Sequence, residues 1–219
     1  MGRNGRRAAR TLRFALPALL VLIATARPVA AQTDVLGALR VVEGTVTILR
    51  GEAAIPVTDR AQVREGDRLR TNGIGRVYVR LVDGATTVEA MVAPDTRVAV
   101  AALRDGRERS PFALLFGALR LRVRELLNTA PVLRTPSTVV GVKGTDFIAY
   151  VKRRKATEFI GIAGLIEAVS RSRPEYSLRI GQRQWGEVVA NRKPAPPIRV
   201  PDNLWLRALA DFAFPADVR

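Results

Sequence analysis

The chain has 219 residues, of which 47% are hydrophobic, 26% charged and 5% aromatic, and its 36 basic against 20 acidic side chains give a net charge of +16. That is globular composition, neither disordered nor low-complexity. There is no cysteine and no histidine, which removes disulfides, thiolate metal sites, thiol catalysis, Ser-His-Asp triads and every His-ligated metal.

Residues 1–13, MGRNGRRAARTLR, form a basic head, and residues 14–26, FALPALLVLIATA, an apolar run. Arg27-Pro28 breaks the run, and Val29-Ala30-Ala31 sets small residues before Gln32. This is the layout of a secretory signal peptide, with cleavage expected after Ala31 and a periplasmic or secreted mature chain. The run is shorter than the roughly 20 residues of a bilayer span; an uncleaved N-terminal membrane anchor is the alternative. Six arginines and no acid lie in this segment, so the remainder carries +10. An exported basic chain meets envelope polymers and envelope proteins, not nucleic acid.

From Val35 onward the apolar residues recur with a period of two. Residues 39–50 read as two apolar-rich runs around Glu43-Gly44, and residues 63–70, VREGDRLR, carry turn chemistry at Gly66-Asp67. In residues 76–82, Val77, Val79 and Leu81 share one face, and Arg76, Tyr78 and Arg80 the other. Asp83-Gly84 is hairpin-turn chemistry. Residues 86–92 and 97–103 are two more strands split by Pro94-Asp95.

Residues 112–127 admit two readings. A helix places Phe112, Leu115, Phe116 and Leu119 on one stripe. A strand after Gly117 turns Leu119, Leu121 and Val123 inward and Arg120, Arg122 and Arg124 outward; the strict alternation favours the strand. Residues 138–151 and 156–169 form a hairpin whose tip is Lys152, Arg153, Arg154 and Lys155, and residues 177–190 add a last pair around Gly181. Residues 191–201 hold four prolines and read as an extended linker. Residues 202–219 form an amphipathic tail, with a helix capped by Asp202 and gathering Leu204, Trp205, Leu209 and Phe212.

The ordered motifs of this chain resemble the FecR domain family. They are Gly66-Asp67-Arg68-Leu69-Arg70-Thr71, Val82-Asp83-Gly84-Ala85-Thr86, Leu133-Arg134-Thr135-Pro136-Ser137, Val140-Gly141-Val142-Lys143-Gly144-Thr145-Asp146-Phe147, Ile162-Ala163-Gly164-Leu165-Ile166 and Leu178-Arg179-Ile180-Gly181-Gln182. The match spans roughly residues 40–185. Within it Thr135, Pro136, Gly141, Gly144, Thr145, Asp146, Phe147 and Gly164 read as folding residues. Gly141 and Gly144 suit bulges or close backbone approach, Thr145 and Asp146 local turn bonds, and Phe147 a core anchor. The resemblance implies an all-β extracytoplasmic domain with no catalytic residues to carry over. Its iron-uptake sensor members start with a cytoplasmic sigma-factor-binding segment and then cross the membrane once. Here 13 residues precede the apolar run, so no direct sigma-factor binding is expected.

The expected fold is all-β, a compact sandwich or short solenoid-like FecR-type domain over residues 32–190, with a short C-terminal helix. No cofactor is expected. A Ser137–Lys143 dyad and the carboxylate pairs Glu65/Asp67 and Asp105/Glu108 read more readily as turn residues than as catalytic groups. The candidate binding residues are Arg120, Arg122 and Arg124, the tip Lys152–Lys155, and Trp205. Arginine suits carboxylate and phosphate by bidentate contact, so the expected function is binding of an anionic envelope polymer or an envelope protein. The alternative is a sensor component of a cell-surface signalling system acting with a separate membrane protein.

Overall fold

The computed structural model describes residues 34–83, 86–101, 110–124, 131–152 and 156–215, apart from the side chains of Asp83 and Lys143. The expected signal peptide, the acid pair Asp105/Glu108 and the tip residues Arg153, Arg154 and Lys155 lie outside them.

The alternation read from the sequence folds as strands. The first eight are β1 (Val35–Glu43), β2 (Val46–Arg50), β3 (Ala53–Val57), β4 (Arg60–Arg64), β5 (Arg68–Thr71), β6 (Arg76–Asp83), β7 (Thr86–Val92) and β8 (Arg97–Val100). They are followed by β9 (Phe112–Arg124), β10 (Pro131–Arg134), β11 (Thr138–Lys152), β12 (Ala156–Ser170), β13 (Ser177–Ile180), β14 (Gln184–Val189) and β15 (Ile198–Arg199), then helix α1 (Asp202–Asp211). Besides β15, which lies in the stretch read as a linker, β3 and β10 have no clear sequence signal. β3 contains Pro56 and pairs only with β2, an edge position where a missing N–H costs no ladder bond. β10 is four residues long and starts on a proline.

Three long strands change partners halfway. The first part of β9 pairs with β8 and, in parallel, with β10; after Gly117 it runs between β7 and β11. The first part of β11 pairs with β10, and from Asp146 with β9. β12 pairs with β14 before Gly161 and with β13 after Leu165. A glycine at positive φ sits at each corner: Gly117 at 93°, Gly144 at 59° and Gly164 at 74°. One extra residue at a corner shifts the side-chain parity. Phe112 and Leu114 therefore point to the same interior as Leu119 and Leu121. Val140 and Val142 share it with Phe147 and Ala149, and Phe159 with Ile166 and Ala168.

The continuous ladder thus folds back on itself as a sandwich. One sheet runs β4-β1-β6-β7-β9-β11-β12-β14-β15. The other runs β3-β2-β5-β8-β9-β10-β11-β12-β13. Their inner faces share a single apolar cluster in which Phe112, Phe147 and Phe159 have no exposed surface. Helix α1 and the segments on either side of it cover the outer face of the first sheet, packing Val200, Ala208 and Phe212 on Tyr78, Met91, Ala118, Ile148 and Ile160.

Residues 112–124 are strand, the reading the alternation favoured; Leu115 and Phe116 are exposed, so the alternative helical stripe is not formed. Other expectations need correction. Leu204 is exposed, whereas Trp205, Leu209 and Phe212 pack on the sheet. Asp202 is the first helical residue, and its carboxylate bonds Arg183 instead of capping the helix. The proline-rich stretch runs along the edge of the first sheet, where β15 pairs with β14 and Val200 N–H donates to the Arg183 carbonyl at 2.8 Å.

The corner at Gly117 is crowded. A Cβ there would lie 2.3 Å from Thr96 Oγ1 and 2.7 Å from Thr96 Cα. That hydroxyl accepts the Ala118 N–H at 3.0 Å, so it has little freedom to retreat. Gly51 also has positive φ, at 58°, but a Cβ on it would meet nothing within 4 Å. Gly51→Ala should cost about 1 kcal/mol from backbone strain alone. Gly117→Ala should cost about 3 kcal/mol or more because strain and overlap add. Urea unfolding of the two variants measures the difference.

Candidate functional site

The outward positions of β9 hold the arginine row, and its neighbours supply acids. The register sets Arg122 opposite Glu89 on β7 and opposite Asp146 on β11. Arg120 grips Asp146 with two bonds, Nε to Oδ1 and Nη2 to Oδ2, each 2.7 Å. Arg122 Nε donates to Asp146 Oδ2 at 3.1 Å, and its Nη1 lies 3.9 Å from Glu89 Oε2. Arg124 Nε lies 3.4 Å from the same Glu89 oxygen, and Tyr78 Oη donates to Glu89 Oε1 at 2.7 Å. Burial, then the bond to Glu89, holds the Tyr78 phenol above its usual pKa.

The tail closes over this network. Arg120 Nη1 donates to the Phe212 carbonyl at 3.2 Å. The guanidinium carbons of Arg122 and Arg120 lie 4.3 and 4.9 Å from the centre of the Phe214 ring, a cation–π arrangement. Tyr78 meets Phe214 edge-on at 5.9 Å, and Tyr150 meets Phe212 likewise at 5.8 Å. Arg76 Nη1 donates to the Asp211 carbonyl at 2.8 Å. The Tyr150 phenol is pushed up to about 12 by burial and by the nearby Asp211 and Glu158 carboxylates.

The row is therefore not a free basic face. Arg120 is 7% exposed, Arg122 is half-buried, and of the three only Arg124 reaches well into solvent. Alternation predicted the right face, but it could not show that two acids and the tail share it. Asp146 is likewise not a turn residue; it is the common partner of two arginines. One sequence signal was available: Glu89 sits alone in the apolar run TTVEAMV, beside a strand whose outward residues are arginine.

The other predicted residues separate. Lys152 is exposed and its Nζ pairs with Glu158 Oε1 at 2.6 Å. Trp205 is half-buried on the sheet, with the Arg183 guanidinium 5.5 Å from its ring centre. Thr135 is the hub of a buried hydroxyl cluster, 2.7 Å from Thr138 Oγ1 and 2.8 Å from Thr157 Oγ1, while Ser137 Oγ lies 2.6 Å from Thr157 Oγ1. Thr135 also accepts the N–H groups of Ser137 and Thr138, shaping the bend at exposed Pro136. Ser137 is thereby committed to the fold.

Gly144 and Gly164 meet at one corner, where a Cβ on Gly164 would lie 2.6 Å from the Gly144 carbonyl oxygen. The Thr145 methyl, 2.7 Å from that position, fills the rest. The Thr145 hydroxyl makes no hydrogen bond among the described residues, so no turn bond by it is seen. Gly141 faces open space and has no close approach to explain it. Asp67, read as a surface turn acid, has no exposed surface. Its two oxygens take Arg50 Nε and Nη2, each at 2.8 Å, and Oδ2 also takes the Arg64 N–H.

A groove of about 610 Å3 lies between α1 and the β14–β15 edge. Tyr150, Ile160, Trp185, Ile198 and Leu204 contribute its apolar lining, and Lys152, Glu158, Arg199 and Arg207 its polar part. Ile198 and Leu204 are more than half exposed.

Residues 67–167 match the family model described as FecR protein, which bears out the resemblance read from the motifs. The matched range runs from Asp67 through the Arg120–Asp146 pair to Glu167 on β12. No curated protein matches the chain. Two crystal structures of a candidate anti-sigma factor from Parabacteroides distasonis ATCC 8503 are similar to it. The first has 18% identity and a TM-score of 0.49, covering 65% of this chain and 63% of that one. The second has 17% identity and a TM-score of 0.48, covering 64% of each. The chain thus spans less than two thirds of those proteins.

Removing Asp146 leaves Arg120 buried without its carboxylate. Asp146→Ala should therefore destabilise by about 3 kcal/mol or more, whereas Arg124→Ala, which removes an exposed guanidinium 3.4 Å from a buried Glu89 that keeps Tyr78 and Arg122 beside it, should cost about 1 kcal/mol. Chemical denaturation of both variants checks this.

Proposed function

We propose that this protein is a non-enzymatic, exported module of a cell-surface signalling system, acting through contact with another envelope or signalling protein. The observation that carries the reading is the FecR match over residues 67–167. The residue inventory supports it: the chain has no cysteine or histidine, and Ser137 is bound into a hydroxyl cluster. Export would be through the N-terminal segment, with cleavage after Ala31.

Contact with the partner is placed on the groove between α1 and the β14–β15 edge. Its exposed Ile198 and Leu204 lie beside aromatic Trp185 and Tyr150, the mix of apolar anchors and polar rim that protein interfaces use. The arginine row serves this role indirectly. Through Phe212 and Phe214 it holds the tail that forms one wall of the groove.

The test is capture from native envelopes at low and high salt. A protein partner retained at high salt, and lost with Ile198→Asp or Leu204→Asp, is the expected result; both positions are exposed, so folding should survive. Retention that disappears with salt and is indifferent to both substitutions would overturn the reading.

A further inference from the structure

One arginine row on the outer face of the second sheet differs from the clamped row of the first. On the second sheet, one row crosses four strands: Thr47 on β2 stands opposite Arg70 on β5, Arg70 opposite Arg97 on β8, and Arg97 opposite Phe116 on β9. Directly opposed residues on antiparallel strands have Cβ atoms about 5 Å apart, and like charges so placed repel. Arg70 and Arg97 are both exposed, and neither has a hydrogen bond or ion pair among the described residues. Arg120 and Arg122, by contrast, share Asp146. The second sheet thus sets two cations side by side, and among the described residues no carboxylate bonds either of them.

A cleft of about 700 Å3 opens over this row, and Thr47, Arg70, Asn72, Asp95, Arg97 and Phe116 are among its lining residues. Its base is braced. The Thr71 hydroxyl donates to the Ala93 carbonyl at 2.7 Å and accepts the Thr96 N–H at 2.8 Å, and the Asp95 N–H donates to the Asn72 carbonyl at 3.0 Å. Asn72 Oδ1 accepts the Thr45 N–H at 3.4 Å, which leaves the carboxamide N–H groups for a ligand. Asp95 is held at a positive φ of 49°.

Each of these groups suits one part of an acidic sugar. Paired guanidinium forks bind a carboxylate or phosphate. The Asn72 amide, the Thr47 hydroxyl and the Asp95 carboxylate offer donors and acceptors to ring hydroxyls. Phe116, 39% exposed, offers an aromatic face whose negative quadrupole attracts the polarised C–H groups of a sugar ring. The volume falls within the range of small-molecule sites.

We propose that this cleft binds an anionic saccharide, with its carboxylate or phosphate between Arg70 and Arg97 and its ring against Phe116. The site is on the other sheet from the docking groove and does not depend on it.

The purified protein is titrated at low salt with a glucuronic acid disaccharide and with glucose 6-phosphate, using maltose and inorganic phosphate as controls. Amide NMR shifts locate binding and calorimetry measures it. Saturable binding of one or both acidic sugars is expected, with shifts at Thr47, Arg70, Arg97 and Phe116. The two acidic sugars report which anion is preferred. Arg70→Gln, Arg97→Gln and Phe116→Ala should each weaken it by about tenfold or more. Removing one of two repelling charges should leave the melting temperature of either Gln variant unchanged or higher, so loss of binding is not loss of fold. The proposal is overturned if neither acidic sugar binds at millimolar concentration, if both Gln variants bind as the parent does, or if inorganic phosphate or maltose binds as tightly as the acidic sugars.

Discussion

Everything in this molecule follows from three long strands that turn a corner without turning inside out. A strand's side chains alternate faces, so bending β9, β11 or β12 into a second sheet would by itself keep the same parity and direct apolar residues outward beyond the bend. One additional residue at each of Gly117, Gly144 and Gly164 resets the parity. Only then do Phe112 and Leu121, at opposite ends of one strand, enter the same core. Gly144 and Gly164 are also neighbours in space, so the two longest strands bend at one place. The sandwich needs no separate connection between its sheets there, because the strands themselves are the connection.

The outer faces carry two sets of arginines that are treated in opposite ways. The first sheet neutralises its arginines with Asp146 and Glu89 and then roofs them with Phe212 and Phe214. Arg120 joins β9 to β11 through Asp146 and both to the tail through the Phe212 carbonyl. A charge so deeply placed is tolerable only because its donors are used. The second sheet leaves Arg70 and Arg97 facing each other across β5 and β8, with no acid among the described residues bonded to either. One cation type thereby serves as a structural clamp on one face and as an open, electropositive surface on the other.

The strands were legible because alternation survives almost everywhere, as in Val77, Val79 and Leu81. The segment 112–127 looked ambiguous for a physical reason. The parity reset at Gly117 puts apolar residues at spacings of two before it and two after it, offset by one, and such an offset imitates a helical stripe. β3 was hidden because Ala and Pro carry little strand preference. The face of the arginine row was readable, but its burial was not. That depended on Asp146, distant in sequence, and on a tail whose docking cannot be inferred from its own periodicity. Gly144 and Gly164 sit at strand corners, Thr135 in a buried hydroxyl cluster and Phe147 in the core, whereas Thr145 and Asp146, given turn roles from sequence, are held by packing and ion pairing instead. The Arg70–Arg97 pair went unnoticed because the cross-strand register that opposes them is a property of the sheet.

The central claim is that the molecule separates clamped from open arginines, and accessibility to an arginine-specific reagent tests it most directly. The native protein would be treated with phenylglyoxal and the modified residues mapped by mass spectrometry over time. Arg70 and Arg97 should react early, while Arg120, 7% exposed and bonded to Asp146 and Phe212, should react only under unfolding conditions. Modification of Arg120 as fast as Arg70 in the native protein would contradict the account.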